Sequence, residues 1–195
     1  MLDEFTTREA AVLADVPIRV IDKAVEENVL TGIRSITYRG KKRRMLPLHA
    51  VPYAAIVKRL PLTLGLAEKR KLARELAARP TANMTSDPLE IAPAVSVDIA
   101  RLIGADMAER ASGYAASRDA NIEENPDVLG GTPVIKGTRL SVYALLGRID
   151  GGDTIDAVME DYPHLDREAI GTAVLYARSH PLVGRPGGKP WKTAA

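Results

Sequence analysis

Six cations and no carboxylate lie between Arg34 and Arg44: Arg34, Arg39, Lys41, Lys42, Arg43 and Arg44. An ordinary solvated turn mixes both signs. A one-sign run of this density suits an anionic polymer, because each cation that meets a phosphate releases condensed counterion. Such residues set position and leave sequence unread. Upstream, Arg19 and Lys23 are one helical turn apart on the same side of a helix, and Arg19 has the fork that a guanine edge accepts. Arg19, Lys23, Arg39, Lys41, Lys42, Arg43 and Arg44 are therefore the candidate DNA contacts. At the other end of the chain, Arg185, Lys189 and Lys192 stand without an acid beside Trp191, the single tryptophan.

Other chemistries find little support. His49, His164 and His180 have no metal-ligand spacing and no cysteine to join them. Glu123, Glu124, Asp127, Asp153, Asp156, Glu160 and Asp161 read as solvated charge, with no pairing that demands acid–base work. The run Gly131 to Thr138 superficially suggests a phosphate loop, but its order is Lys-Gly-Thr, and Pro133 removes a backbone donor. It reads as turn chemistry, with Arg139 expected to anchor the turn. No catalytic residue, metal or cofactor is expected, and the chain does not read as an enzyme.

The 195 residues are 46% apolar and 27% charged, enough for one large or two small cores. The absence of cysteine excludes disulfide scaffolds and cysteine-ligated metal. One Phe, one Trp and six Tyr argue against a strand sandwich, so a mainly α fold is expected. Met1-Leu2-Asp3-Glu4 is no basic leader and no apolar run approaches the roughly 20 residues of a bilayer span, which points to the cytoplasm and away from membranes. Charge is segregated. Lys/Arg against Asp/Glu stand at 11 to 7 over residues 1–65, 8 to 8 over 66–120 and 5 to 10 over 121–180.

These residues need elements to hold them. Thr6 and Glu9 have capping-box spacing, so a helix starts there, with Ala10, Leu13 and Ala14 facing inward. Pro17 then opens a second helix whose inner stripe is Ile18, Ile21 and Val25. Ile36 and Tyr38 alternate with polar residues as in a strand, and Gly40 supplies a hairpin turn, so the basic run forms a wing. Residues 1–79 read as a winged helix-turn-helix domain and 80–88, with two prolines, as a linker. Over 89–180 follow an edge strand through Pro93, a helix from about Asp98 to Ala115, strand and turn pieces, and three helices. These last are stripes on Val142, Leu145, Leu146 and Ile149, then Ile155, Val158, Met159 and Tyr162, then Ile170, Ala173, Val174 and Ala177. Thr154 and Asp166 are the N-caps of the second and third. Residues 181–195 read as an extended tail.

The run Asn125-Pro126-Asp127-Val128-Leu129-Gly130-Gly131-Thr132-Pro133-Val134-Ile135-Lys136-Gly137-Thr138-Arg139, with Tyr162-Pro163-His164-Leu165 and the helix after it, resembles a family of uncharacterised-domain antitoxins often encoded beside PIN-like nuclease toxins. The resemblance covers about residues 118–180. It implies a homeodomain-like three-helix bundle, a homodimer, and a type II toxin–antitoxin module of the VapBC kind. The N-terminal residues are similar to the winged helix-turn-helix of MerR-like regulators at Phe5-Thr6, Ala10-Ala11, Val16-Pro17 and Val29-Leu30. They depart from it at Asp15, where glycine is usual, and at Asp22-Lys23, in place of an aromatic and an arginine. A DNA-binding head joined to such a domain looks like a VapB-type antitoxin, which implies two partners, operator DNA and a cognate PIN-like ribonuclease.

The acidic bundle would repel phosphate, so it is assigned to dimerisation and toxin contact. A PIN-like nuclease gathers carboxylates around its metal, and arginine suits such a cleft. Arg185, Lys189, Trp191 and Lys192 are therefore the candidate toxin contacts. The alternative is a stand-alone transcriptional regulator sensing a small ligand through residues 89–180. A neighbouring nuclease-like reading frame would separate the two.

Overall fold

The computed structural model describes residues 3–182 apart from Arg39, Ala94 and the side chain of Lys41. Strand β1 (Glu4–Thr6) runs into helix α1 (Thr7–Ala14) through the expected capping box. The Glu9 amide donates to the Thr6 hydroxyl at 3.2 Å and the Thr6 amide donates to the Glu9 carboxylate at 2.7 Å, so two orphan donors are satisfied at once. The helix stops at Asp15, which is left-handed at φ +53°, the conformation that glycine would take most easily. Pro17 then opens α2 (Ile18–Glu26).

The basic run forms a hairpin of β2 (Arg34–Tyr38) and β3 (Lys41–Pro47), with Tyr38 opposite Lys41 and Gly40 at φ +73° in the turn. β3 also pairs with β1, placing Phe5 opposite Leu46, so the antiparallel sheet has the order β1-β3-β2. Both of these side chains are fully buried and tie the wing to the core. Ile18, which spacing places on the inner stripe of α2, is instead 39% exposed. Ala24 is buried together with Ile21, while Ile18 and Arg19 in the first turn of α2 are exposed.

Helix α3 (Ala50–Arg59) is apolar nearly all round and is buried from Ala50 to Ile56, packed by α1, α2, α4 (Leu66–Ala78), α5 (Ile99–Ile103) and α6 (Met107–Asn121). The 80–88 segment does not divide two cores as its composition suggests. Met84 and Thr85 are buried, the Thr85 hydroxyl donates to the Ala105 carbonyl at 2.6 Å, and Arg79 donates to the Asp87 and Pro88 carbonyls at 2.8 Å each. One hydrophobic cluster runs from Phe5 to Ala115 across it, because Leu89, Ile91 and Ile99 fill the same interior as α3.

Two further expectations are corrected. The single edge strand is a small hairpin, β4 (Leu89–Ala92) against β5 (Val95–Val97), with Pro93 in the connection, where its missing N–H costs no ladder bond. The single helix from Asp98 is broken into α5 and α6 at Gly104, whose φ of +90° no helix tolerates.

A second cluster, Ile135 to Ala177, forms the C-terminal unit. Strands β6 (Ile122–Glu123) and β7 (Val134–Ile135) pair, and α7 (Val142–Asp150), α8 (Ile155–Asp161) and α9 (Arg167–Ser179) make the three-helix bundle. Ser141, Thr154 and Asp166 cap the three helices through side-chain oxygens. Thr138 holds the turn before α7, donating to the Ile135 carbonyl at 2.7 Å and accepting from the Leu140 amide at 3.0 Å. Arg139, expected in that role, is exposed. Helix α9 belongs to both halves: one side fills the bundle, while another packs on α1 and α6, with Leu175 against the first cluster. The molecule is thus mainly α with short strands. Among the described residues no helix is long and apolar enough to cross a membrane.

Candidate functional site

The wing presents its cations in two ways. Leu46, Arg44 and Lys42 alternate onto one face of β3, so the face that is core at Leu46 becomes solvent at Arg44 and Lys42, both exposed. Arg43 points to the opposite face, half-buried, its guanidinium 3.9 Å above the Tyr38 ring. Arg34, also exposed, is ion-paired at 3.0 Å to the Glu4 carboxylate. On α2, Arg19 is exposed, and exposed Lys23 lies 3.7 Å from Glu27, whose carboxylate also holds Lys69 at 2.8 Å. Lys69 and Lys23 together pull the Glu27 carboxyl below its ordinary range. The structure therefore brings Arg19, Lys23, Lys42 and Arg44 to the surface of one head. Arg39, Arg185, Lys189, Trp191 and Lys192 lie outside the described residues, as does the side chain of Lys41.

Beside the wing a cavity of about 860 Å³ opens between the head and the C-terminal unit. The head contributes Arg8, Ile18, Asp22, Arg43 and Arg44. The opposite wall is Glu124, the 130–133 turn, Tyr143, Tyr176 and His180. This wall is rigidly built. The Tyr143 hydroxyl donates to the His180 carbonyl at 2.8 Å, and the Tyr176 hydroxyl donates to the Glu124 carboxylate at 2.7 Å. The His180 ring stacks on Tyr176 with centroids 4.1 Å apart and planes 11° from parallel. Burial holds the His180 imidazole below its ordinary pKa, outweighing the nearby Glu9 charge, and burial pushes the Tyr176 phenol up. Exposed Ile18 is thus a cavity wall, which is why its apolar side chain is not under α1.

Behind the cavity lies a largely buried polar network. Glu9 is 2% exposed, and its carboxylate accepts from Arg118 at 2.9 Å and from the Tyr114 hydroxyl at 3.0 Å in addition to the Thr6 amide. Burial alone would raise this carboxyl, but the Arg118 charge and the Thr6 and Arg118 hydrogen bonds together hold it below the usual range. One α6 turn away, the Thr172 hydroxyl of α9 donates to Ser117 at 2.9 Å. Helix α6 thereby links the head to the bundle.

The bundle spends its own cations on its own acids. Arg148 holds Asp153 and Asp161 at 2.7 Å each, Arg178 lies 3.3 Å from Asp150, and Arg167 pairs with Asp156. The remaining surface is acidic, unlike the wing. The histidines do not converge: His49 is buried at the start of α3, His164 is exposed at the α8–α9 turn, and His180 faces the cavity.

Sequence reasoning missed the cavity and the Glu9–Arg118 pair. Arg8, Arg44, Tyr143 and His180 share no spacing, and only the capping role of Glu9 has a local signature.

The sequence model of a family described as a protein of unknown function (DUF433) matches residues 122–177, which span β6 to the last turns of α9. An uncharacterised protein, y4eO, of Sinorhizobium fredii (strain NBRC 101917 / NGR234) is 42% identical over 77 residues, or 40% of this chain. The chain spans about a third of the length of that relative, 34%. No solved structure matches the chain. The protein thus carries, at residues 122–177, a segment similar to the DUF433 family, joined to a basic winged head.

Proposed function

We propose that the chain is a DNA-binding antitoxin. The head binds the operator of its own operon, and the C-terminal part binds and inhibits a PIN-like ribonuclease. The observation that carries the DNA half is that α2, which bears Arg19 and Lys23, and the hairpin, which bears Lys42 and Arg44, border the same cavity through Ile18 and Asp22 on one side and Arg43 and Arg44 on the other. A helix for the major groove next to a cationic hairpin for the backbone is a workable docking geometry. A homodimer would cover two half-sites and read more base pairs than one head alone.

The toxin half rests on the sequence resemblance over about 118–180 and on the acidic surface of the bundle, which favours a protein partner over phosphate. Arg185, Lys189, Trp191 and Lys192 are proposed to enter the carboxylate-lined nuclease cleft. The protein acts by occlusion, without chemistry of its own. The deciding experiment co-expresses the chain with the product of the adjacent gene. Co-purification and loss of ribonuclease activity are expected, with inhibition weakened on removal of residues 181–195; an adjacent product that neither binds nor is inhibited refutes the antitoxin reading. Fluorescence anisotropy with the upstream DNA tests the operator half separately. The second reading, a ligand-sensing regulator, is favoured by one observation, the cavity against the wing.

A further inference from the structure

The cavity has a definite chemistry. Its size falls within the about 300–1,000 Å³ of small-molecule sites. Arg8 and Arg44 reach it from exposed positions and neither is ion-paired to a described residue. Arg43 adds a third guanidinium, held flat on Tyr38. Two carboxylates share the lining, Asp22 and Glu124, the latter accepting from the Tyr176 hydroxyl and keeping its charge, so three guanidiniums stand against two carboxylates. His180 stays neutral at physiological pH because burial disfavours its cation, so the positive field comes from the arginines alone. Tyr143, half-buried and fixed through the His180 carbonyl, offers a ring to a flat group, and the Thr7 and Thr132 hydroxyls line the same space.

We propose that this cavity binds a small organic anion, a carboxylate or monophosphate on a flat unsaturated body, gripped by Arg8 and Arg44 and packed on Tyr143. Guanidinium forks match both anionic groups bidentately. Arg8 belongs to the cavity alone, whereas Arg44 is also among the proposed DNA contacts. If that DNA reading holds, an occupied cavity withdraws Arg44 from phosphate and loosens the operator.

The site is tested without DNA, by calorimetric titration of the full chain with adenosine monophosphate, benzoate, inorganic phosphate and uncharged adenosine. At least one of the two flat anions binds with a Kd below about 1 mM. Arg8→Ala and Arg44→Ala each weaken that binding by about tenfold, the loss of a charge-assisted contact. Arg139→Ala, which removes an exposed cation outside the cavity, leaves it unchanged. No binding of either flat anion, equal binding of adenosine, or an equal loss in Arg139→Ala overturns the proposal. Anisotropy then tests the link. Anion at a concentration near its Kd for the full chain, at fixed ionic strength, weakens operator binding by the full chain and much less by Arg8→Ala; unchanged DNA affinity overturns the link, and a chain that binds no DNA overturns the DNA reading while the calorimetry still decides the site.

Discussion

The Glu9 carboxylate and the Arg118 guanidinium meet at 2.9 Å across 109 positions of sequence. The same carboxylate that caps α1 therefore anchors α6, and α6 in turn holds α9 through Ser117 and Thr172. The head and the C-terminal unit are thus joined by largely buried polar contacts, where geometry is most tightly specified.

Removing Arg118 leaves the Glu9 carboxylate charged and buried, whereas Arg118 without Glu9 keeps Asp119 at 2.8 Å. Arg118→Ala should lower unfolding free energy by about 3 kcal/mol in urea titrations, and Glu9→Gln by less. The double variant should cost less than the two together, since the pair is then gone as a unit. Additive losses would show that the two residues act independently.

Acid should destabilise the fold in two steps. Burial holds His180 and His49 below the ordinary imidazole value of 6.5, so unfolding takes up protons. That stability is complete above 6.5 and is lost as pH falls through the lower folded values. Glu9 is held below the ordinary carboxyl value of 4.5, so its contribution is present above 4.5 and disappears under it. A Tm that declines below 6.5 and more steeply below 4.5 is expected; replacing His180 by Phe should flatten the first decline.

The wing contacts are read by salt. Lys42→Ala combined with Arg44→Ala should reduce the slope of log K against log salt by about 2, near 0.9 for each phosphate contact. Arg19→Ala should instead relax base preference by about 1–3 kcal/mol at one position while the slope changes little. An unchanged slope in the wing variant removes β3 from the interface.

Gly104 separates α5 from α6 at φ +90°, and a Cβ placed there would lie 3.2 Å from an Asp106 carboxylate oxygen. Gly104→Ala should cost about 1–2 kcal/mol of stability by thermal unfolding, from left-handed strain together with crowding. A neutral substitution would mean that the α5–α6 joint shifts freely.

Much of the fold is legible locally. The Thr6–Glu9 box, the Gly40 turn, the opposed charge of wing and bundle, and the capped helices at 142–150, 155–161 and 167–179 each follow from windows of a few residues. Capping, turn geometry and helical periodicity act over one or two turns of chain, which is the range over which a sequence can be read directly. Tertiary packing decided the rest. Residues 80–88 look like a linker by composition, yet they are covered because Leu89 and Ile91 return to the core around α3. Ile18 has the spacing of a core residue, yet it lines a cavity because the bundle stands opposite it. The meetings of Glu9 with Arg118, and of Arg8 and Arg44 with Tyr143 and His180, arise only when α9 docks on α1 and α6, and burial against distant partners has no period in the sequence.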